Sequence, residues 1–473
     1  MSKLRKQDKY SRLMVNTLLL GLSSFSSKIL SFFLTKLYTG AFPADVFGNA
    51  DLLMQTSNII VPLMSLGIAQ AVIRFGLDRD IPPEHVFTNG LLTILAGLGA
   101  VVVLSPVLGL MPHVKGYEAL LIIYMFSTCL RLLCCQFVRS RMRIKLYALD
   151  GILATLYTVL FNILYLSNLK MGIPGYLLAT ISTNLLSILG LFIAGGLWNY
   201  ISLYRINKVL FKDMLRYSLP LVPATISWWL SNASDRFFIT YIVGSFANGL
   251  YTVASKPSGL VTAVSTFFTE AWQISAVTDG QDEDKSQFFS TVYSALMSVA
   301  FLIGGAMIVL CHVVINLLAS QPEYLPAWQY VPLLSISAVF TFLQSFMSSV
   351  FVVEKKSSLS LYSTLIGAGT SIVLNAILIP FMGIFGACVA NLSSSVIIFV
   401  IRIMMARRFI NIDYQPVKLL LNSAIVMAEA AIVILPAPGW RIWCALLSLL
   451  LIGINSVALL QMARQIFKPR RKS

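Results

Sequence analysis

The sequence predicts an all-α integral membrane protein of about 14 transmembrane helices. They form two six-helix lobes related by a pseudo-twofold along the membrane normal, followed by two further C-terminal helices. Three observations carry this expectation. Of the 473 residues, 57% are hydrophobic and 11% charged, with a mean hydropathy of +0.81; soluble domains hold about 25% charged residues. Apolar runs long enough to span a bilayer recur from end to end, leaving no polar stretch that could form a separate water-soluble domain. Finally, Met171-GIPGYLLATIST-183 aligns with Met382-GIFGACVANLSS-394 at an offset of 211, with six identities in thirteen positions. Each copy opens a span, the sixth and the twelfth. Six is an even number, so the halves enter the membrane in the same direction, as parallel transporter repeats do.

A helical span needs about 20 mostly apolar residues. Taken in order, spans fall near residues 12–37, 45–73, 86–111, 117–138, 149–169, 174–198, 217–243, 247–276, 287–319, 327–352, 357–379, 383–403, 417–437 and 442–463. The basic start before Arg12 precedes an apolar segment without a small-residue cleavage site, which reads as a first span and not a removable signal. The ninth span lies in an uncharged stretch from Ser286 to Pro322. The uncharged residues 357–401 are too long for one helix, and Ile379-Pro-Phe-Met-Gly383 supplies a turn between two. Pro62, Pro220, Pro223 and Pro257 are expected to kink their helices. Repeated short strands of alternating polarity, the mark of a barrel, do not occur.

The Lys/Arg distribution orients the chain. With a cytoplasmic N-terminus, inner segments hold 27 Lys/Arg and outer loops only Lys115, Lys170 and Arg441. The positive-inside rule then puts both termini in the cytoplasm of a plasma-membrane protein. This accounts for the formal charge of +16 without nucleic acid. Between the halves, Arg205, Lys208, Lys212 and Arg216 recur at helical spacing opposite Ile201, Leu210 and Met214, which predicts an amphipathic helix on the inner leaflet. The expected organisation is an N-terminal lobe (1–198), a linker helix (199–216), a C-terminal lobe (217–410), and two further spans with a basic tail (411–473).

Catalytic and cofactor signatures are missing. No phosphate-cradling G-x-x-x-x-G-K-[ST] motif occurs. His85, His113 and His312 are scattered, and the six cysteines show neither Cys-x-x-Cys nor paired loop spacing. The longest outer loop is about ten residues on this reading of span lengths, too short for a polymerase or ligase site. Movement of a substrate is therefore expected, and not its conversion. Charges inside spans are then the informative residues, because each is costly unless paired or hydrated. Lys28, Asp235, Arg236 and Lys256 fall between the midplane and the outer third, and Asp51 and Lys36 nearer the outer surface. Arg74, Arg131 and Glu270 lie toward the inner side. The candidate substrate-lining set is Lys28, Asp51, Arg74, Asp235, Arg236, Lys256 and Glu270. One reading faces the four deep charges into a shared aqueous cleft; the other pairs Asp235 with Lys28 or Lys256 for structural reasons alone. Adjacent on one helix, Asp235 and Arg236 diverge by about 100° and are not expected to pair with each other. Arg131 reads mainly as topogenic, and Trp228, Trp229 and Tyr251 as aromatic packing against lipid.

Leu219-PLVPATISWWLSNASDRFFITYIVGSFANGLYTVASK-256 resembles the seventh and eighth helices of the polysaccharide flippases of the multidrug/oligosaccharidyl-lipid/polysaccharide exporter superfamily. The likeness rests on the Leu-Pro start, the Asp235-Arg236 pair and Gly249-x-Tyr251. Val46-Phe-Gly48 and the Gly-Ile-x-Gly openings of spans six and twelve add to it. The resemblance implies a V-shaped pair of six-helix bundles that moves a polyprenyl-pyrophosphate-linked oligosaccharide between leaflets by alternating access. Its implied partners are the lipid-linked glycan, membrane lipids, and the glycan polymerase and glycosyltransferases of the same pathway. No cofactor is expected, and whether H+ or Na+ serves as coupling ion stays open. Within the superfamily, the alternatives are a lipid II flippase and an ion-coupled multidrug exporter. About 14 spans and a lysine in the first one count against the exporter.

Overall fold

The computed structural model describes residues 30, 32–78, 80–202, 207–279, 285–354, 356–436 and 438–467. Lys28, Arg205 and the side chain of Glu270 lie outside the described residues. No strand occurs among the residues described. Helix α1 occupies residues 32–41. It is followed by α2 (Ala44–Ser65), α3 (Ile68–Gly76), α4 (Pro83–Val103), the single turn α5 (Ser105–Leu108), α6 (Glu118–Ser140), α7 (Ile144–Asn162) and α8 (Gly172–Gly195). The chain continues through α9 (Lys208–Ser218), α10 (Leu221–Ile242), α11 (Ser245–Asp279), α12 (Lys285–Val309) and α13 (Cys311–Leu318). It ends with α14 (Val331–Val353), α15 (Ser357–Met382), α16 (Ile384–Ala406), α17 (Pro416–Ile434) and α18 (Trp440–Phe467). Among the described residues, nine helices are each long and apolar enough to cross a membrane, and α2 with α3 makes a tenth when counted as one bent span. Helices also stand at the predicted first, seventh, eighth and fourteenth spans, as α1, α10, α11 and α18.

Local sequence explains most boundaries. Pro83 and Pro416 start α4 and α17, positions where the missing N–H would be unbonded in any case. Asn207 caps α9, its side-chain oxygen accepting from the N–H groups of Val209 and Leu210 at 3.1 and 3.0 Å. The proline expectations divide. Pro62 lies one turn before the break between α2 and α3, where the axis turns by 52° through Leu66 and Gly67, both at positive φ. Pro220 and Pro223 do not kink a helix but stand at the start of α10, where a proline removes no intrahelical bond. Helix α11 runs unbroken through Pro257. Pro380 lies inside α15, and the turn expected over residues 379–383 is the single Gly383 at φ +57°.

Packing divides the chain into two units, one of residues 37–233 and one of 30–36 with 234–467 among the described residues; the divisions fall inside α1 and α10. Within the first, α8 packs on α6 and α7, and α6 on α2, α3 and α4. Within the second, α16 packs on α14 and α15, and α14 on α11 and α12. The sixth helix of each half thus lies on the fourth and fifth, the arrangement expected of an internal repeat. The repeated glycines show why. Gly172 and Gly383 turn the chain at φ +63° and +57°. A Cβ on Gly175 would sit 2.9 Å from the Met171 side chain and 3.2 Å from the Tyr165 carbonyl oxygen, and one on Gly386 2.5 Å from the Leu378 carbonyl. Only glycine lets the chain fold back this closely on the preceding span. The last two helices, α17 and α18, pack on each other and on α12.

Helix α9 differs from its expected setting. Lys208, Lys212 and Arg216 lie on its exposed side, but Leu210 and Met214 are buried against protein, where α9 meets α3 and α4. The amphipathic stripe is used for packing within the unit. Arg205, the first basic residue of that pattern, is outside the described residues.

Candidate functional site

Each unit contains a buried carboxylate beside tyrosine, at the corner made by the first, second and sixth helices of its half. In the second unit, Asp235 on α10 is 4% exposed and accepts a hydrogen bond from the hydroxyl of Tyr251 on α11. Cys388 on α16 lies within electrostatic reach of both. Asp235 Oδ1 also accepts the Arg236 backbone N–H at 2.9 Å. The guanidinium of Arg236 curls back to 3.9 Å from the same oxygen and 5.8 Å over the Tyr251 ring. The expectation that neighbouring Asp235 and Arg236 would not pair is therefore corrected. Their Cβ atoms diverge, but the long arginine stem returns across the surface that Tyr251 supplies, adding a cation–π contact to the ion pair. The reading of Tyr251 as lipid packing is corrected too. It is 1% exposed, buried between α10 and its own helix by the bond to Asp235. Lys256, half-buried, follows Tyr251 by five residues along α11.

In the first unit the roles are exchanged between helices. Asp51 on α2 is 8% exposed and accepts from Gln55 Nε2 at 3.3 Å. Tyr176 on α8 lies within electrostatic reach of Asp51 and meets Tyr38 of α1 edge-on, with ring centroids 5.0 Å apart. Arg74, another predicted site residue, is exposed on the last turn of α3 and is not brought together with Asp51. Tyr176 and Tyr38 escaped the sequence reading because tyrosine is unremarkable in an apolar span; their only signal is recurrence at the same corner of both halves.

Arg131 is not simply topogenic. Its Nε donates to Ser187 Oγ at 2.7 Å and its Nη2 to Asp150 Oδ2 at 3.1 Å, while Ser187 donates to Asp150 Oδ1. The triad ties α6, α7 and α8 together. The second unit has a counterpart without a carboxylate. Arg402 of α16, 8% exposed, donates to Ser363 Oγ at 3.0 Å, to the Gln344 carbonyl at 2.8 Å and to Thr364 Oγ1 at 3.0 Å. These bonds join α14, α15 and α16. Asp150 was missed although Asp51, Asp235 and Glu270 were followed through their spans; an acid near the start of span five, at the depth of Arg131, was the available signal.

Among the described residues, no group of three or more His, Cys, Asp or Glu could hold a metal ion. All six cysteines are free and buried.

Residues 13–273 match the family model described as polysaccharide biosynthesis protein. An uncharacterised membrane protein of Methanocaldococcus jannaschii is 25% identical over 267 residues, which is 52% of this chain and 61% of that protein; the chain thus spans about three fifths of that relative's length. Among solved structures, a lipid II flippase in an inward closed conformation superposes with a TM-score of 0.71 at 14% identity, covering 95% of this chain and all of that one. An inward-facing multidrug resistance MATE family transporter of the MOP superfamily superposes with a TM-score of 0.63 at 16% identity, covering 82% of this chain and 98% of its own. At these identities the likeness is one of fold.

Proposed function

The chain belongs to the polysaccharide biosynthesis protein family, and from that premise we propose that it is a flippase, moving a polyprenyl-pyrophosphate-linked oligosaccharide from the inner to the outer leaflet by alternating access. The observation that carries the reading is the Asp235–Arg236–Tyr251 cluster, a charged group buried inside membrane-spanning helices. An ionisable residue at such depth marks a substrate or ion path by default, because burying a charge at a helix centre costs about 2.5–3.5 kcal/mol on insertion scales. The pyrophosphate brings negative charge that an arginine fork binds bidentately and a lysine as a point charge. Arg236 and Lys256 are the cations assigned to it. Asp235 holds Tyr251 at its corner, and H+ or Na+ is the coupling ion that buried carboxylates such as Asp51 and Asp235 suit. The sites of Lys28, Arg74 and Glu270 belong to the same proposal.

The Lys/Arg distribution supports a plasma-membrane protein with both termini cytoplasmic, working as a transporter beside the glycosyltransferases and polymerase of its pathway. Lipid II is the second reading, favoured by a fold match that extends over the whole of the lipid II flippase. A multidrug exporter fits less well, since that fold match leaves more of this chain uncovered. The test is complementation of a strain lacking its glycan flippase, scored by surface polysaccharide. Wild type should restore export, and Arg236→Ala and Lys256→Ala should fail to do so while accumulating normally in the membrane. Export by both variants at the wild-type level would remove these residues from the site.

A further inference from the structure

The last two helices share a polar seam with α12. Gln415, Lys418, Asn422 and Glu429 follow one another at spacings of 3, 4 and 7, which puts them on one face of α17. Three of the four are bonded to a facing helix. Gln415 Oε1 accepts from Ser294 of α12 at 3.1 Å, and Lys418 Nζ donates to Ser298 Oγ at 2.9 Å. Asn422 and Asn455 of α18 exchange side-chain amide bonds at 3.1 and 2.9 Å. Glu429 is different. It is 0% exposed, its Oε1 accepts from Ser448 Oγ of α18 at 2.8 Å, and its Oε2 has no hydrogen-bond partner among the described residues. That oxygen lies against the backbone of α12, where a Cβ on Gly305 would sit 3.1 Å from it and 2.8 Å from Leu451 Cδ2. No cation faces the carboxyl from the helices packed on α17. Between Ser298 and Val309, α12 has no titratable residue, and α14 has none at all. Lys418 is eleven residues back along α17, about 16 Å on the helix axis. On α18, Arg441 is exposed and rests over the Trp440 ring at 5.5 Å, and Arg464 follows Ser448 by sixteen residues. The titratable group within electrostatic reach is the thiol of Cys444.

We propose that Glu429 is a proton-binding site: it holds a proton while α12, α17 and α18 are packed together and releases it when the seam opens to water. An ionised carboxylate here would be an unpaired charge among apolar side chains, and such a group neutralises itself by taking up a proton. The 2.8 Å contact serves both forms. Ser448 donates to a carboxylate, and a protonated Oε1 donates to Ser448 Oγ in return. Oε2 is then a carbonyl oxygen, for which burial without a donor is far less costly than for a charged one. A proton also needs no cavity, and Gly305 and Leu451 leave none. A sodium ion needs several oxygens, and the next polar pair, Asn422 with Asn455, is seven residues away, about 10 Å. On release the carboxyl O–H breaks, the proton passes to a water molecule, and the carboxylate left behind is tolerated only if water follows. The seam from Gln415 to Asn422 offers polar footing for that water, and buried Ile425 and Val426 close the last stretch. The proposal does not rest on the transport reading, since it concerns neither Asp235 nor its neighbours.

Infrared spectroscopy of the full-length protein in micelles reads the acid directly. At neutral pH the wild type should show the carbonyl stretch of a protonated carboxyl, lowered in frequency by 13C-labelled glutamate and lost in Glu429→Gln. The label assigns the band to glutamate in unaltered protein, so the result does not depend on how well the variant folds. Ser448→Ala should keep the band and move it to higher frequency, since one hydrogen bond is gone. As pH is raised, loss of the band should coincide with faster hydrogen exchange in α17 and α18, beyond the intrinsic dependence of exchange on pH. Glu429→Gln, a neutral side chain of the same size, should lack that extra acceleration. Absence of a glutamate-sensitive band at neutral pH, or its survival in Glu429→Gln, would show that Glu429 holds no proton and overturn the site. So would a band that Ser448→Ala leaves unmoved, or exchange that accelerates equally in wild type and Glu429→Gln.

Discussion

At the scale of single residues, two buried groups have consequences that can be measured. Asp150 is the only carboxylate bound to Arg131 among the described residues, and its side chain is 7% exposed against 28% for the arginine. Asp150→Ala leaves that guanidinium with Ser187 alone. Removing one partner of a fully buried pair costs about 3–5 kcal/mol; with the arginine partly exposed, roughly 2–3 kcal/mol is expected, read as an earlier thermal unfolding in detergent. Unchanged unfolding would show that Arg131 is solvated. His113, in the turn before α6, is 8% exposed and shares a 2.9 Å hydrogen bond with Thr56. Burial lowers its pKa from 6.5 to about 4. The folded protein therefore resists protonation that the unfolded chain accepts, and stability falls as pH drops from about 6.5 toward 4 and no further below that. His113→Asn should flatten this part of the pH–stability profile, and a profile identical to wild type would refute the assignment.

At the scale of elements, the glycines at the start of α8 and α16 play two distinct roles. Gly172→Ala places a side chain in the left-handed region, for which about 1–2 kcal/mol is expected. Gly386→Ala drives a Cβ into the Leu378 carbonyl carbon and oxygen at 2.5 Å, backbone that cannot rotate away. A loss at or above the top of the usual 1–3 kcal/mol for overpacking is expected. Thermal stability by size-exclusion chromatography should rank Gly386→Ala below Gly172→Ala; the reverse order would show that φ and not close approach sets the repeat. These elements were legible in the sequence because a Met-Gly-Ile-x-Gly pattern has few uses other than a tight turn into a packed helix. The single-residue turn at Gly383, with Pro380 left inside α15, was not legible, although the eighth span was placed across Pro257 as α11 runs. A proline inside a helix is tolerated or not according to what packs around it, and that neighbourhood is absent from a linear string. The stripe of α9 was read correctly as amphipathic, but periodicity identifies an apolar face without saying whether lipid or α3 covers it.

At the scale of the whole molecule, hydropathy and charge distribution were enough to predict fourteen helical spans, because a bilayer forces backbone polar groups to be satisfied within each segment. The internal repeat was visible in thirteen aligned residues. The in-span charges were visible as well, but their partners were not. Asp235 binds a tyrosine sixteen positions away, and tyrosine carries no signal in an apolar helix until the fold brings it to a carboxylate. The account's central claim is that this fold moves a lipid-linked glycan across the bilayer. It is tested most directly in proteoliposomes carrying the purified protein and a fluorescent polyprenyl-pyrophosphate oligosaccharide in the inner leaflet. Arrival in the outer leaflet is followed by a membrane-impermeant quencher. The account predicts quenching well beyond protein-free vesicles, abolished by Arg236→Ala and retained in part by Arg236→Lys. Quenching no faster than in empty vesicles, or equal rates for wild type and Arg236→Ala, would contradict it.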